Sequence, residues 1–120
     1  MAIVPVELGC PGHLIVASSC RWHRHTQVGL YRVSTVGDYY LPGGTVRQSL
    51  GADSDAFFET MVFRTTGTPE PNNEGCGCMA IMDYTEIECL RYPTAGTAQY
   101  GHETVVAKYL GQAQSEQSEQ

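Results

Sequence analysis

One amphipathic segment near the C-terminal end constrains the fold most, because its apolar stripe must be buried on a surface that the rest of the chain supplies. The stripe falls within residues 94–110 and consists of Ala98, His102, Val105, Val106 and Tyr109. This spacing is typical of one face of an α-helix. Thr94 follows Pro93 and is the predicted N-cap, and Gly111 lies where such a helix would end.

The segments upstream of this helix predict β-strands separated by turns. Thirteen glycines and six prolines in 120 residues favour short strands over a helical bundle. Runs of β-branched, aromatic or aliphatic residues predict strands at 13–17, 28–40, 45–50, 57–65 and 78–90. The run at 57–65 (FFETMVFRT) is apolar on both faces, as in a central strand. We predict an α+β fold, in which one C-terminal helix covers a face of an antiparallel sheet of about four to six strands.

Length and composition predict a single globular domain. We assign residues 1–111 to this domain and predict that the polar segment 112–120 (QAQSEQSEQ) is a disordered tail. No apolar run reaches the ~18 residues of a membrane span, and the first residues lack the features of a signal peptide. Without a secretion signal, the five cysteines indicate a reducing compartment such as the cytoplasm.

Charge is unevenly distributed along the chain. Residues 1–64 contain five arginines and five acidic residues, whereas residues 65–120 contain two cationic and eight acidic residues. The net charge of −6 therefore resides in the second half. Generic binding to a nucleic-acid backbone requires clustered Lys and Arg, so this distribution argues against it. A surface that binds an anion would be built from the first half.

Three longer motifs stand out: YRVSTVGDYY at 31–40, FFETMVF at 57–63 and RYPTAGTAQYGHETVVAKY at 91–109. Together with a Cys-x-x-His element from Cys20 to His23, they resemble a family of small uncharacterised proteins of actinobacterial phages and prophages. The family's patterns correspond here to 33–39, 59–63 and 92–109, so the resemblance covers most of residues 20–110. It implies a phage accessory gene product in the cytoplasm of the infected bacterium, with the virion as an alternative location. It implies no reaction.

The spacing of cysteine and histidine makes a structural zinc site one hypothesis. Cys20 and His23 have the two-residue gap of a zinc knuckle, and Cys10 and His13 are an alternative pair. If the chain between the two pairs is extended, they lie about 23 Å apart, which is too far for one ion. The competing interpretation is a set of reduced, partly buried thiols, and the odd number of cysteines disfavours disulfides. The favoured zinc ligands are Cys20, His23, Cys76 and Cys78.

His102 invites comparison with catalytic motifs. His102-Glu103 begins like the metalloprotease motif HExxH, but residue 106 is Val where the second His is required. Because His102 lies on the apolar stripe, the main interpretation is a core histidine hydrogen-bonded to a sheet residue. The weaker alternative is a catalytic role, in which His102 acts as a general base near Glu59.

Two segments combine cations with aromatic rings. Residues 21–25 (RWHRH) and 38–42 (DYYLP) are of the kind that holds nucleotide phosphates or contacts another protein. The competing interpretation is a solvated loop with Trp22 in the core. The candidate residues for ligand or partner binding are Arg21, Trp22, Arg24, His25, Tyr39 and Tyr40.

The sequence contains no P-loop and no GxSxG nucleophile motif, which favours a protein that is not an enzyme. Our first hypothesis is a phage accessory protein that binds a host or phage protein, or a small anionic ligand, and counters a host defence. A virion structural or decoration protein is the second hypothesis. A small metal-dependent or His-based enzyme acting on a nucleotide or phosphoester is the third. We expect no membrane partner, and a homodimer would cover FFETMVF if that strand lay at a sheet edge.

Overall fold

The computed structural model describes residues 2–8, 20–41, 44, 47–50, 56–69, 78–82 and 85–118. These residues form an antiparallel sheet of seven strands followed by one helix, which confirms the predicted α+β class. The helix lacks the apolar length that crossing a bilayer requires. The elements are β1 (Val6–Leu8), β2 (Cys20–Val28), β3 (Tyr31–Tyr40), β4 (Arg47–Gln48), β5 (Phe58–Pro69), β6 (Met79–Ile81), β7 (Glu88–Tyr92) and α1 (Ala95–Ser118).

Strand β5 lies inside the sheet. One of its edges pairs with β3, which continues through β2 to β1. Two strands occupy its other edge, one after the other. Strand β7 pairs with residues 58–62 of β5, and β6 pairs with β5 between residues 65 and 69. The short strand β4 extends the end of β3 on the edge opposite β2. The predicted central position of FFETMVF is thus confirmed, and this segment needs no dimer to cover it.

A tight turn joins β2 to β3. The two-residue loop Gly29-Leu30 has φ +57° at Gly29, which is the left-handed conformation that the first position of a type II′ hairpin turn requires. The strand predicted over 28–40 is therefore β3, which begins at Tyr31 after this turn, whereas Val28 is the last residue of β2. Residues 20–23, predicted as a zinc-knuckle turn, instead belong to the regular strand β2. The strand predicted at 13–17 lies outside the described residues.

Helix α1 begins as predicted. The backbone N–H of Thr97 donates a hydrogen bond to Thr94 Oγ1 at 3.2 Å, which is the expected N-cap. The predicted stripe packs against the sheet: Ala98, His102, Val105 and Tyr109 are at most 3% exposed. Its apolar members join a core with valines and a tyrosine of three central strands, namely Val28, Tyr31, Val33 and Val62.

The helix continues past Gly111 to Ser118, so residues 112–118 are helical where a disordered tail was expected. Ala113 is buried against the β2–β3 turn, where a Cβ at Gly29 would lie 2.9 Å from its own. Glu116 accepts a hydrogen bond from the Tyr31 hydroxyl. These contacts with the sheet explain why a polar, low-complexity segment remains helical.

The two faces of the sheet have different coverings. Paired residues of an antiparallel sheet share a face, so the register places Thr26, Thr35 and Thr60 beneath the helix. Arg32 and Ser34 alternate with Val33 and Thr35 along β3 and therefore point to the opposite face. The sheet curls, so that the backbone of Met79 in β6 reaches Arg32 on that face. We call the side of the sheet opposite α1 the helix-free face.

Candidate functional site

The six predicted binding residues do not form one site. Because side chains alternate along a strand, β2 sends Trp22 and Arg24 to the helix side and His25 to the helix-free face. Trp22 packs edge-on against Phe58 with 5.8 Å between ring centroids. The candidate residues of segment 21–25 are therefore divided between the two faces of the sheet.

Arg24 is held by acidic residues on the helix side. Its guanidinium lies 2.9 Å from Glu7 and 3.3 Å from Glu103. Hydrogen bonding and charge attraction from these carboxylates raise the pKa of Arg24, with Glu7 the larger influence. An arginine already paired with two carboxylates has little remaining capacity for an external anion.

The other candidates at this end of the sheet also make internal contacts. The Arg21 guanidinium lies 3.7 Å from the centroid of the Tyr40 ring, in a cation–π contact. Tyr39 packs against a small buried cluster of Cys20, Val36 and Leu50. Of the six residues, His25 is the one that the structure places in a buried polar environment with unused hydrogen-bonding capacity.

The proposed zinc ligands Cys20 and His23 lie three residues apart on strand β2, so their Cα atoms are about 10 Å apart. This extended spacing differs from the tight turn of a zinc knuckle. Burial raises the pKa of the Cys20 thiol to about 11, which favours a protonated thiol. Cys78 is buried, and Cys10, His13 and Cys76 lie outside the described residues. In the part of the chain that is described, no three His, Cys, Asp or Glu side chains are grouped as metal ligands.

His102 is the core histidine that the sequence predicted. Its Nε2 atom lies 2.7 Å from Thr26 Oγ1 and its Nδ1 atom 2.6 Å from Thr35 Oγ1. Thr35 in turn lies 2.6 Å from Thr60 Oγ1. Burial, with a smaller contribution from the positive charge of Arg24, lowers the pKa of His102 to about 4, so the ring is neutral at pH 7.

The expected neighbourhood of His102 and Glu59 does not form. Thr60 faces the helix, so the preceding residue Glu59 faces the opposite side of the sheet. There its carboxylate accepts a hydrogen bond from Arg91 Nε at 2.9 Å. The sheet separates the imidazole from this carboxylate, so the two cannot act together as a base and its partner.

A different group of residues forms the candidate site, on the helix-free face. The β2–β3 register sets His25 opposite Ser34 and Gln27 opposite Arg32. All four side chains share this face, with opposed Cα atoms about 5 Å apart and successive ones about 7 Å apart. None is more than 7% exposed, and His25 and Arg32 are 0% exposed. We call His25, Gln27, Arg32 and Ser34 the polar cluster.

The imidazole of His25 is partnered at one nitrogen only. Its Nδ1 atom lies 3.0 Å from Ser34 Oγ, whereas Nε2 is buried and has no hydrogen-bond partner among the described residues. Burial lowers the pKa of His25 to about 3, and the positive charges of His23 and Arg32 add to this effect. The ring is therefore neutral at pH 7 and presents one unused donor or acceptor to the interior.

The amide of Gln27 also has unused capacity, and its orientation is fixed. The Nε2 atom donates to the carbonyl of Gly29 and to Thr65 Oγ1, both at 2.9 Å. Thr65 Oγ1 donates its own proton to the carbonyl of Leu30, so it must accept from Gln27. The Oε1 atom is therefore the acceptor, and it is buried without a partner. A buried unpaired polar atom costs about 1–3 kcal/mol, which makes two of them in one cluster unusual.

Arg32 gives the cluster its charge. Its Nη2 atom donates to the carbonyl of Met79 at 2.6 Å, and the whole side chain is buried. Arginine remains protonated at any ordinary pH, while the neighbouring His25 is neutral. The cluster therefore combines one fixed positive charge, one neutral imidazole and one free amide oxygen. This set can bind an anion and a hydrogen-bond donor side by side.

Sequence analysis found His25 but not the other three members. The missed signal is the distance of these residues from the turn: His25 and Ser34 are equidistant from Gly29-Leu30, and so are Gln27 and Arg32. A hairpin centred on Gly29 pairs them directly. The prediction of one strand over 28–40 concealed this pairing.

The described residues thus define an α+β protein in which one helix covers a curled antiparallel sheet and a polar cluster lies buried on the other face. The chain matches no family model, no curated protein and no solved structure.

Proposed function

We propose that this protein is a non-enzymatic binding protein that holds a small anion at the polar cluster. The observation that carries the proposal is the presence of two buried, unpartnered polar atoms, His25 Nε2 and Gln27 Oε1, beside the fully buried guanidinium of Arg32. Unpartnered atoms of this kind are costly in a folded protein unless buried water or a bound molecule satisfies them.

The chemistry of the cluster indicates what the ligand carries. The positive charge of Arg32 favours a ligand that carries a carboxylate or phosphate group. Gln27 Oε1 is an acceptor, so the same molecule needs a hydroxyl or amine donor near its anionic group. Neutral His25 supplies either a donor or an acceptor, depending on its tautomer. We therefore propose a small hydroxylated or amino-substituted carboxylate or phosphate.

A biological role follows from the sequence resemblance alone. In a phage accessory protein, a site of this kind would sequester a small anionic metabolite or signal of the host. This is the form of the counter-defence hypothesis that the polar cluster supports best.

The first test uses the wild-type protein. After purification without chelator or added ligand, native mass spectrometry measures its mass, and anion-mode mass spectrometry identifies whatever denaturation releases. The expected result is a bound small acid of the proposed class. In parallel, a thermal-shift panel of hydroxy acids, amino acids and sugar phosphates is expected to contain a member that raises Tm, because a ligand that binds the folded state stabilises it.

Two variants locate the binding. Gln27→Met keeps the side-chain volume and removes the free acceptor, and we expect it to abolish the thermal shift. Gln99→Met is the matched control, because Gln99 is an exposed residue of α1. A bare polypeptide mass, together with no shift from any member of the panel, would overturn the proposed function. A ligand-induced rise in Tm that persists in Gln27→Met would show that the ligand binds outside the polar cluster.

A further inference from the structure

The polar cluster is closed in this structure, so a ligand can reach it only if a neighbouring element moves. His25 and Arg32 are 0% exposed, and Gln27 is 7% exposed. Both unpartnered atoms of the cluster, His25 Nε2 and Gln27 Oε1, belong to β2. The element that opens should therefore lie beside β2.

Strand β1 lies beside this part of β2. Leu8 pairs with His25, and Val6 pairs with Gln27. Paired residues share a face, so two side chains of β1 lie next to two of the cluster on the helix-free face. The other neighbour of β2 is β3, which pairs with it from Cys20 to Val28, whereas β1 has three residues and the described sheet ends with it. A short edge strand opens at a lower free-energy cost than a strand inside the sheet.

Opening of β1 would leave the cluster itself intact. The side-chain hydrogen bonds described for the cluster join His25 to Ser34 in β3, Gln27 to the hairpin turn and to β5, and Arg32 to the carbonyl of Met79 in β6. A displacement of β6 would remove the acceptor of Arg32, whereas a displacement of β1 breaks none of these bonds. Strand β1 is therefore the element that can uncover the cluster without dismantling it.

A carboxylate on the other face of β1 holds this strand to β2. Glu7 alternates with Val6 and Leu8 along β1 and therefore points to the helix side. There its Oε1 atom lies 2.9 Å from Arg24 Nη2 and accepts a hydrogen bond from Thr26 Oγ1 at 2.7 Å. Burial acts to raise the pKa of Glu7, but the hydrogen bonds from Arg24 and Thr26 outweigh it and lower that pKa. The carboxylate is therefore charged at pH 7, and charge-assisted bonds of this kind are stronger than neutral ones.

We propose that β1 is the lid of the polar cluster and that the Glu7 carboxylate is the latch that keeps it closed. Release of Arg24 and Thr26 by Glu7 lets β1 separate from β2, which opens a path to the two unpartnered atoms. Ile3, which packs against the main core, holds the preceding residues in place. The proposal rests on the function proposed for the polar cluster, but the movement of β1 can be measured without any ligand.

Chemical modification of histidine measures this movement. Diethyl pyrocarbonate acylates an accessible, neutral imidazole, so its rate of reaction at His25 reports the access of a small molecule to the cluster. Trypsin cleaves after Arg24, which places His23 and His25 on separate peptides, and mass spectrometry follows each rate. We expect Glu7→Gln to raise the rate at His25 about tenfold, because the latch loses its charge. The exposed His23 should react equally fast in both proteins.

Two comparisons show whether β1 alone has opened. His102 is buried beneath α1, so its rate should stay low in Glu7→Gln, and a rise equal to that of His25 would indicate general unfolding and would overturn the proposal. Glu103→Gln is the matched control variant, because Glu103 also pairs with Arg24, at 3.3 Å, but lies on α1. We expect it to leave the rate at His25 unchanged. An equal rise in both variants would mean that the pairing of Arg24 governs access, and would overturn the proposal as well.

Amide hydrogen exchange provides the second measurement. In the wild-type protein, residues 6–8 should exchange faster than residues 31–36 of β3. Glu7→Gln should accelerate exchange at residues 6–8 about tenfold, while residues 98–109 of α1 keep their rate. If exchange at 6–8 or modification of His25 is the same in Glu7→Gln as in the wild type, the lid is contradicted, whether or not a ligand binds the cluster. If both rise as expected and no ligand binds, the lid is supported and the proposed function fails.

Discussion

The Nδ1 atom of His102 lies 2.6 Å from the hydroxyl oxygen of Thr35, so the helix is joined to the centre of the sheet by a buried hydrogen bond as well as by apolar contact. The second ring nitrogen bonds Thr26 on the adjacent strand. Both nitrogens of a neutral imidazole are thus used, one as donor and one as acceptor. The helix therefore has a single position at which both bonds can be made.

Replacing His102 should be strongly destabilising. The variant His102→Ala leaves a cavity and removes one hydrogen bond from each of two buried hydroxyls, which keep Glu7 and Thr60 as their other partners, so we expect a loss of about 2–4 kcal/mol in the free energy of unfolding. Chemical denaturation measures this loss. The control His23→Ala removes an exposed imidazole and should change stability by less than about 0.5 kcal/mol. Equal effects of the two variants would contradict the structural role of His102.

Stability should fall as the solution becomes mildly acidic. The unfolded chain binds protons on His25 and His102 with the ordinary histidine pKa of about 6.5, whereas the folded pKa values are about 3 and about 4. The contribution of these two histidines to the free energy of unfolding is therefore fully present above pH 6.5. Below pH 6.5 it decreases by up to ~1.4 kcal/mol per pH unit for each histidine, until the folded pKa values are reached.

Urea denaturation at a series of pH values measures this dependence. The variant His102→Gln should lose about half of the slope between about pH 6 and 5, because it removes one of the two titrating rings. Carboxylates do not produce this slope: the hydrogen bond from Lys108, for example, lowers the pKa of Glu88, so its effect begins at lower pH. A wild-type stability that is constant across this range would contradict the prediction.

The last turns of α1 should depend on Tyr31. Its hydroxyl donates to Glu116, whose other oxygen lies 3.4 Å from Arg64. We expect Tyr31→Phe to cost about 1 kcal/mol and to increase amide hydrogen exchange over residues 112–118, because the helix end loses its polar anchor. Tyr100→Phe removes the hydroxyl of an exposed tyrosine and should leave both measurements unchanged. Unchanged exchange in Tyr31→Phe would show that Ala113 alone holds this segment.

Two glycines of α1 should respond in opposite directions to the same substitution. A Cβ at Gly101 would overlap the ring of Tyr92, whereas a Cβ at Gly111 would meet no atom within 4 Å. We expect Gly111→Ala to stabilise the protein by about 1 kcal/mol through helix propensity, and Gly101→Ala to destabilise it by about 1–2 kcal/mol through overpacking. Thermal denaturation of the pair measures the difference. A gain in both variants would mean that Tyr92 moves aside freely.

The sequence predicted those elements whose residues follow one clear period. The stripe ending at Tyr109 identified α1, and the doubly apolar run FFETMVF identified the centre of the sheet. Strand β2 was missed because it contains few of the β-branched and aromatic residues that are enriched in strands, and because Cys20 and His23 have the spacing of a metal-binding turn. The end of α1 was missed because its stability comes from distant contacts, such as that of Glu116 with Tyr31, which local composition does not show.

The candidate site was less predictable than the fold. Its four members lie on two strands, and their grouping depends on the exact position of the turn at Gly29. A shift by one residue would send each side chain of one strand to the other face. That Gln27 Oε1 and His25 Nε2 lack partners is a property of the packed interior, and no sequence pattern reports it.

The threonine hydroxyls beneath the helix also bear on how the chain is synthesised. Thr26, Thr35 and Thr60 leave the ribosome before α1, so the sheet face that they occupy stays exposed to water until α1 has been synthesised. Water can occupy those hydroxyls in the meantime, which a wholly aliphatic face would not allow. The nascent sheet therefore exposes less continuous apolar surface to chaperones and to neighbouring nascent chains. When the helix packs on the sheet, the imidazole of His102 takes the place of that water on Thr26 and Thr35.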